Sequence, residues 1–147
     1  KNTLLEAAFD RANQLSGVRI TERLGRPSDR ARPREVLTVV LTELIPHDDA
    51  SHLHMRVRQS FTALALAHET IARRLREEYA NLHATLGELV RREQAEGHIA
   101  TDIEPHSTAQ RLVALAEGLA YYVLIGVSRA DIATRQVLDA IDALYRR

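Results

Sequence analysis

Leu112-Val113-Ala114-Leu115-Ala116-Glu117-Gly118-Leu119-Ala120-Tyr121-Tyr122-Val123-Leu124-Ile125-Gly126-Val127 carries a single formal charge, Glu117. Its apolar residues do not alternate as in a strand, and a helix built from them is greasy on nearly every side. A helix on the outside of a lone small domain needs a solvated face, so this one must be covered on two sides. In a chain of 147 residues the second cover is another chain. The stretch therefore predicts both an all-α fold and self-association.

The flanking sequence repeats the helical period throughout. Upstream, Thr3 and Glu6 form a T-x-x-E capping box ahead of Leu4, Leu5, Ala8, Phe9, Ala12 and Leu15. That helix runs to about Leu24 and ends in the turn-forming Gly25 to Pro33 stretch. A short helix starts near Pro33 and stops before Pro46, with Val36, Leu37, Val40, Leu41 and Leu44 facing inward. Asp48, Asp49 and Ser51 offer caps for a third, which carries Leu53, Met55, Val57, Phe61, Leu64 and Leu66 and ends around His68. From Glu69 a long helix places Leu75, Tyr79, Leu82, Leu86 and Leu89 at alternating steps of four and three, with Gly97 as its C-terminal cap. On its charged face Arg73 with Glu77, Arg74 with Glu78, and Glu88 with Arg92 are spaced for helix ion pairs. The apolar helix spans Pro105 to Gly126, and a last one runs from about Asp131, with Ile132, Val137, Leu138, Ile141, Leu144 and Tyr145 on one stripe.

Composition narrows the function classes. There is no cysteine, which removes disulfides, thiolate metal sites and a cysteine nucleophile and suits a reducing cytoplasmic setting. Hydrophobic residues make up 45% and charged residues 27%, an ordinary globular balance. No run is long enough to span a membrane, and Lys1 leads straight into an amphipathic pattern unlike a signal peptide. The 20 basic and 20 acidic residues cancel, so the excess positive charge of a free-standing nucleic-acid binder is missing.

Catalytic motifs fail one by one. His47-Asp48-Asp49-Ala50-Ser51-His52-Leu53-His54 invites a zinc reading, but His52 and His54 are two apart on a helix and face different ways. A capped helix start with exposed histidines is the expectation. His68-Glu69 opens like H-E-x-x-H, yet position 72 is Ala72. No glycine-rich phosphate loop or G-x-S-x-G elbow is present. The chain is expected not to be an enzyme and to need no metal or cofactor.

Three stretches resemble the TetR family of transcriptional regulators. Lys1-Asn2-Thr3-Leu4-Leu5-Glu6-Ala7-Ala8 resembles the start of the long helix that leaves the helix-turn-helix. Gly97-His98-Ile99-Ala100-Thr101-Asp102-Ile103-Glu104-Pro105 resembles the turn before the penultimate helix, and Leu115-Ala116-Glu117-Gly118-Leu119 the signature within it. With the short helix ending Leu44-Ile45-Pro46 and the Phe61 helix, the order and spacing resemble the effector domain of the BetI-like branch.

The resemblance implies one ligand-binding and dimerisation domain over 1–147, an antiparallel bundle of about six helices without the DNA-reading helix-turn-helix. Its last two helices would form a four-helix bundle with a second copy. Operator DNA would be contacted only through the missing N-terminal domain, with release when a small, largely apolar effector binds. The implied cavity lies among residues on inward helix faces: Met55, Phe61 and Thr62, then Tyr79, His83 and Leu86, then Glu117 and Tyr121. Glu117 stands out, because a carboxylate in so apolar a helix needs a partner. An arginine across the dimer and a cationic effector both qualify. The implied interface comprises Leu115, Gly118, Leu119, Tyr122, Ile125, Leu138, Ile141 and Tyr145. Close backbone approach at Gly118 would offset the roughly 1 kcal/mol that a mid-helix glycine costs. The competing reading is an all-α homodimerisation module with a solid core and no ligand.

Overall fold

The computed structural model describes residues 2–146. Six α-helices account for the fold: α1 (Asn2–Leu24), α2 (Pro33–Glu43), α3 (Asp49–Ala65), α4 (Glu69–Ala95), α5 (Pro105–Leu124) and α6 (Ala130–Tyr145). A 3-10 turn at Ser28–Arg30 fills the turn-rich stretch after α1. No strand occurs among the described residues, and no helix there is long and apolar enough to cross a membrane.

Local chemistry sets most boundaries. Asp48 accepts from the Ser51 backbone at 2.8 Å while the Ser51 hydroxyl returns to the Asp48 amide, closing a reciprocal cap on α3. Pro33 and Pro105 occupy the first turns of α2 and α5, where a missing N–H costs nothing. Gly97 and Gly126 take left-handed φ values of 80° and 82° just past α4 and α5. Each closes its helix with paired bonds back to the last turn, His98 N to Glu93 O and Val127 N to Tyr122 O at 2.8 Å.

The capping box expected at Thr3 is not formed. Thr3 lies inside α1, and the position before Asn2 is outside the described residues. Glu6 instead approaches Arg74 of α4 at 3.7 Å. None of the three ion pairs expected along α4 is formed among the described residues. Arg74 reaches Asp10 of α1, Glu78 takes Arg58 of α3, and Glu88 meets Arg91 rather than Arg92. For Arg74 and Glu78, partners from neighbouring helices outcompete an exposed i,i+4 pair worth only a few tenths of a kcal/mol.

Packing runs through the middle of the bundle, where α4 lies along α5, α5 against α6, and α2 against both α4 and α6. The principal core joins Leu37, Leu41, Ile45, Met55, Leu86, Val113, Ala116, Ala120, Val137 and Ile141. At Gly87 the start of α5 lies close to α4: a Cβ there would meet the Pro105 carbonyl oxygen at 3.6 Å, an ordinary van der Waals contact. A second cluster, Phe9, Phe61, Ile71 and Leu75, seats α1 on α3 and α4. In it the Phe9 and Phe61 rings stack at 4.1 Å with 16° between planes.

Gly118, by contrast, faces open space: apart from its immediate neighbours and the adjacent turns of α5 itself, nothing lies within 4 Å of a Cβ placed there. The close approach expected at this glycine is therefore not made within the protomer.

Candidate functional site

Between α1, α2, α3 and α4 lies a cleft of about 400 Å3 with apolar sides formed by Ile20, Val40, Leu44 and Leu82. Asn13, His54, Arg58 and Glu78 supply its polar wall. Arg58 is the hub. It is only 5% exposed, and its guanidinium reaches Glu78 at 2.5 Å, Glu117 at 3.1 Å and the Asn13 carbonyl at 3.3 Å. Tyr79 places its hydroxyl 2.6 and 2.8 Å from the two Glu117 oxygens, so a single buried knot joins α1, α3, α4 and α5.

The electrostatics follow from this crowding. Burial works against a charge on Arg58, but Glu117 and Glu78 outweigh it and hold the guanidinium protonated above its ordinary range. Burial, reinforced by Glu117, pushes the Tyr79 phenol up, so it stays a neutral donor. His54, 4% exposed, is pushed down to about 4 by burial, then by Arg58 and Arg19. Two buried polar atoms of residues that line the cleft have no protein partner, His54 Nδ1 and Arg58 Nε.

A second polar tie connects α1 to α2. Glu43, almost wholly buried, accepts from Arg19 at 2.6 Å and Arg23 at 3.0 Å, and Arg23 also donates to Thr42. Asn13, Arg19 and Arg23 thus continue along α1 the polar attachments that Glu6 and Asp10 make to Arg74.

The structure gathers Tyr79, His83 and Glu117 near this knot. His83 stacks on Tyr79 at 5.8 Å, and its ring is held below the usual histidine range by burial and by His106. The other expected ligand residues lie elsewhere. Met55 and Leu86 are sealed in the main core, and Phe61 in the Phe9 cluster. Thr62 bonds back to the Arg58 carbonyl at 2.9 Å, and Tyr121 is on the outer surface beside Tyr122. None of these five lines the cleft, nor do Tyr79, His83 and Glu117, which stand behind its polar wall.

Glu117 does have its arginine, but from α3 of the same chain rather than from across a dimer. Arg58 had a legible signal: it falls three residues after Met55 and three before Phe61, on the apolar stripe of α3. His54 falls seven before Phe61 on that stripe and is buried, so the expected row of exposed histidines is corrected at this position. His52 is exposed, and His47 Nδ1 lies 2.9 Å from the Ile45 carbonyl. No cluster suited to a metal ion occurs among the described residues.

The expected dimer residues divide between two environments. Tyr122 and Ile125 stand 49% and 57% exposed, with Leu115 and Gly118 on the same face of α5 and Ile132 on neighbouring α6. Leu119 and Ile141 turn inward, at 7% and 1%, into the protomer's own core. Leu138 is half-buried, and Tyr145 packs beneath the Arg34 guanidinium at 4.2 Å.

Solved structures share this architecture. A Rhodococcus sp. protein assigned as a TetR-family transcriptional regulator superposes with a TM-score of 0.89 at 25% identity, over 99% of this chain and 76% of its own. A transcriptional regulator from Rhodococcus sp. Rha1 has the same fold, with a TM-score of 0.71 at 19% identity over 92% of this chain and 70% of its own. No curated protein matches in sequence. The fold is thus the helical bundle of a TetR-family regulator. The family model for the BetI-type transcriptional repressor, C-terminal, matches residues 33–146, and the chain belongs to that family.

Proposed function

We propose that residues 1–147 form a single ligand-binding and dimerisation domain of a TetR-type repressor. A small effector binding in the cleft releases the intact protein from operator DNA, which is contacted by a separate DNA-binding domain. The observation that carries this reading is the position of Asn13. It belongs to α1, lines the cleft and bonds to Glu78, Arg58 and His54 at once. A molecule seated in the cleft meets α1 directly, and its differential affinity for two placements of that helix is what a switch requires.

Two copies join through α5 and α6, covering Leu115, Tyr121, Tyr122, Ile125 and Ile132. Contiguous exposed apolar patches of this kind mark interaction surfaces, and a face shared by two identical chains is self-complementary about a two-fold axis. The protein works in the cytoplasm without catalysis. A dimerisation module with no ligand shares the α5–α6 face but leaves unexplained a cleft with apolar sides and a polar wall.

Calorimetric titration of the intact repressor with candidate effectors, with and without operator DNA, tests the proposal. An effector that binds the cleft weakens operator affinity. If molecules that bind the cleft leave operator affinity unchanged, the switching role is wrong.

A further inference from the structure

A cavity of about 660 Å3 opens where the start of α2, the last turn of α4 and the end of α6 come together. It shares no lining residue with the cleft between α1, α2, α3 and α4. Arg32 and Arg34 line it from the α2 side and Arg92 from α4. Arg32 is the N-cap of α2, yet its side chain makes no bond to the helix start, and Pro33 follows with no N–H to offer. The positive end of α2 therefore adds to the charge of the three arginines.

The charged groups of the lining differ in whether they are already engaged. Arg34 donates to Asp142 at 2.5 Å and lies over the Tyr145 ring at 4.2 Å. Glu93, only 5% exposed, has Oε1 at 3.1 Å from His98 Nδ1. Arg32 and Arg92 are both exposed, and among the described residues neither joins an ion pair. For Arg92 this is not for want of local partners. Glu88 and Glu96 lie one turn to either side of it, the spacing at which helix pairs form, but Glu88 meets Arg91 and Glu96 stays exposed. Two guanidinium groups thus stand at one cavity without a counterion.

We propose that this cavity is a second binding site, which takes a monovalent organic carboxylate held by Arg32 and Arg92, with its body beside Pro33 and Tyr145. The volume falls in the range of small-molecule sites, roughly 300–1,000 Å3, and exceeds what a bare inorganic anion fills. Guanidinium groups match the planar, two-oxygen geometry of a carboxylate. Three arginines against Glu93 and Glu96 leave the lining one positive charge ahead before His98 is counted, so a single negative charge balances it. A cation would instead meet the two guanidinium groups that have no counterion. The site is independent of the effector cleft, and either reading can stand without the other.

The test titrates the unmodified chain with three probes of one shape, benzoate, benzamide and benzylammonium, at a fixed ionic strength set by chloride. Binding is followed by NMR of the Tyr145 ring and of the Arg32 and Arg92 Nε–H groups. Benzoate is expected to bind roughly tenfold tighter than neutral benzamide, and tighter still than benzylammonium. Arg32→Gln and Arg92→Gln alter exposed residues, so both variants stay folded, and each should weaken benzoate binding several-fold. Arg91→Gln removes the same charge from the neighbouring exposed position outside the lining and should leave binding unchanged. Benzoate binding no tighter than benzamide, or a benzoate affinity unaltered in either lining variant, overturns the carboxylate assignment. An equal loss in Arg91→Gln overturns it too, because surface charge in general would then account for the binding. If none of the three probes moves the Tyr145 or arginine signals, the cavity is not a binding site. The methyl signals of Ile20, Val40, Leu44 and Leu82 report on the effector cleft separately, so failure here is distinguishable from failure there.

Discussion

Arg58 and Glu117 stand 59 residues apart in sequence and meet at 3.1 Å, joining α3 to the otherwise apolar α5. A carboxylate placed among so many aliphatic side chains is tolerable only with such a partner, and Arg58 holds Glu78 as well.

Removing the hub strands both carboxylates. Arg58→Met is expected to lower unfolding free energy by about 3–5 kcal/mol, the range for breaking a buried ion pair by deleting one partner. Adding Glu117→Gln to that variant should recover part of the loss. Urea denaturation of the single and double variants measures the coupling.

His54 makes stability depend on pH. Its pKa is about 4 in the folded chain and near the ordinary 6.5 when unfolded. The unfolded state therefore binds more protons between those values, so the contribution is fully present above about pH 6.5. It is lost as pH falls toward 4, by about 3 kcal/mol in all. His83, also held low, adds in the same direction. His54→Gln should flatten the profile of unfolding free energy across this window relative to the unmodified chain.

Charges placed on the two sides of α5 should act differently. Tyr122→Glu and Ile125→Asp alter exposed residues, so the variants stay folded and sediment as monomers. Leu119→Asp buries a carboxylate in the protomer's own core and should unfold the chain. Sedimentation together with circular dichroism separates the two outcomes. A Tyr122→Glu variant that remains dimeric would contradict the assigned interface.

Phe61→Ala opens a hole in the cluster with Phe9, Ile71 and Leu75 and should cost about 3–5 kcal/mol. Since Phe61 does not line the cleft, the folded fraction should bind cleft probes with unchanged affinity. Thermal unfolding and titration read the two effects separately.

Helix order was legible because it depends on local information: apolar spacing, prolines in first turns, Asp48 with Ser51, and glycines after α4 and α5. The identity of the site's centre depends on tertiary information. An arginine between Met55 and Phe61 breaks the apolar stripe of α3, and nothing nearby in sequence announces Glu78 or Glu117 as its partners. Aromatic residues such as Phe61 and Tyr121 share their side-chain type with pocket linings, but one stacks on Phe9 and the other faces outward. Spacing along one helix likewise gave Arg74 to Glu78, whereas α1 and α3 offered each a better partner. The charge at position 117 was a sound indicator that something faces it, and the fold supplies what does.

The flat overlap of Phe9 on Phe61 seats the first half of α1 on α3. Farther along, Asn13, Arg19 and Arg23 act as latches that hold only at defined distances. A rod mounted in this way cannot travel far without parting from side chains of α2, α3 and α4 together.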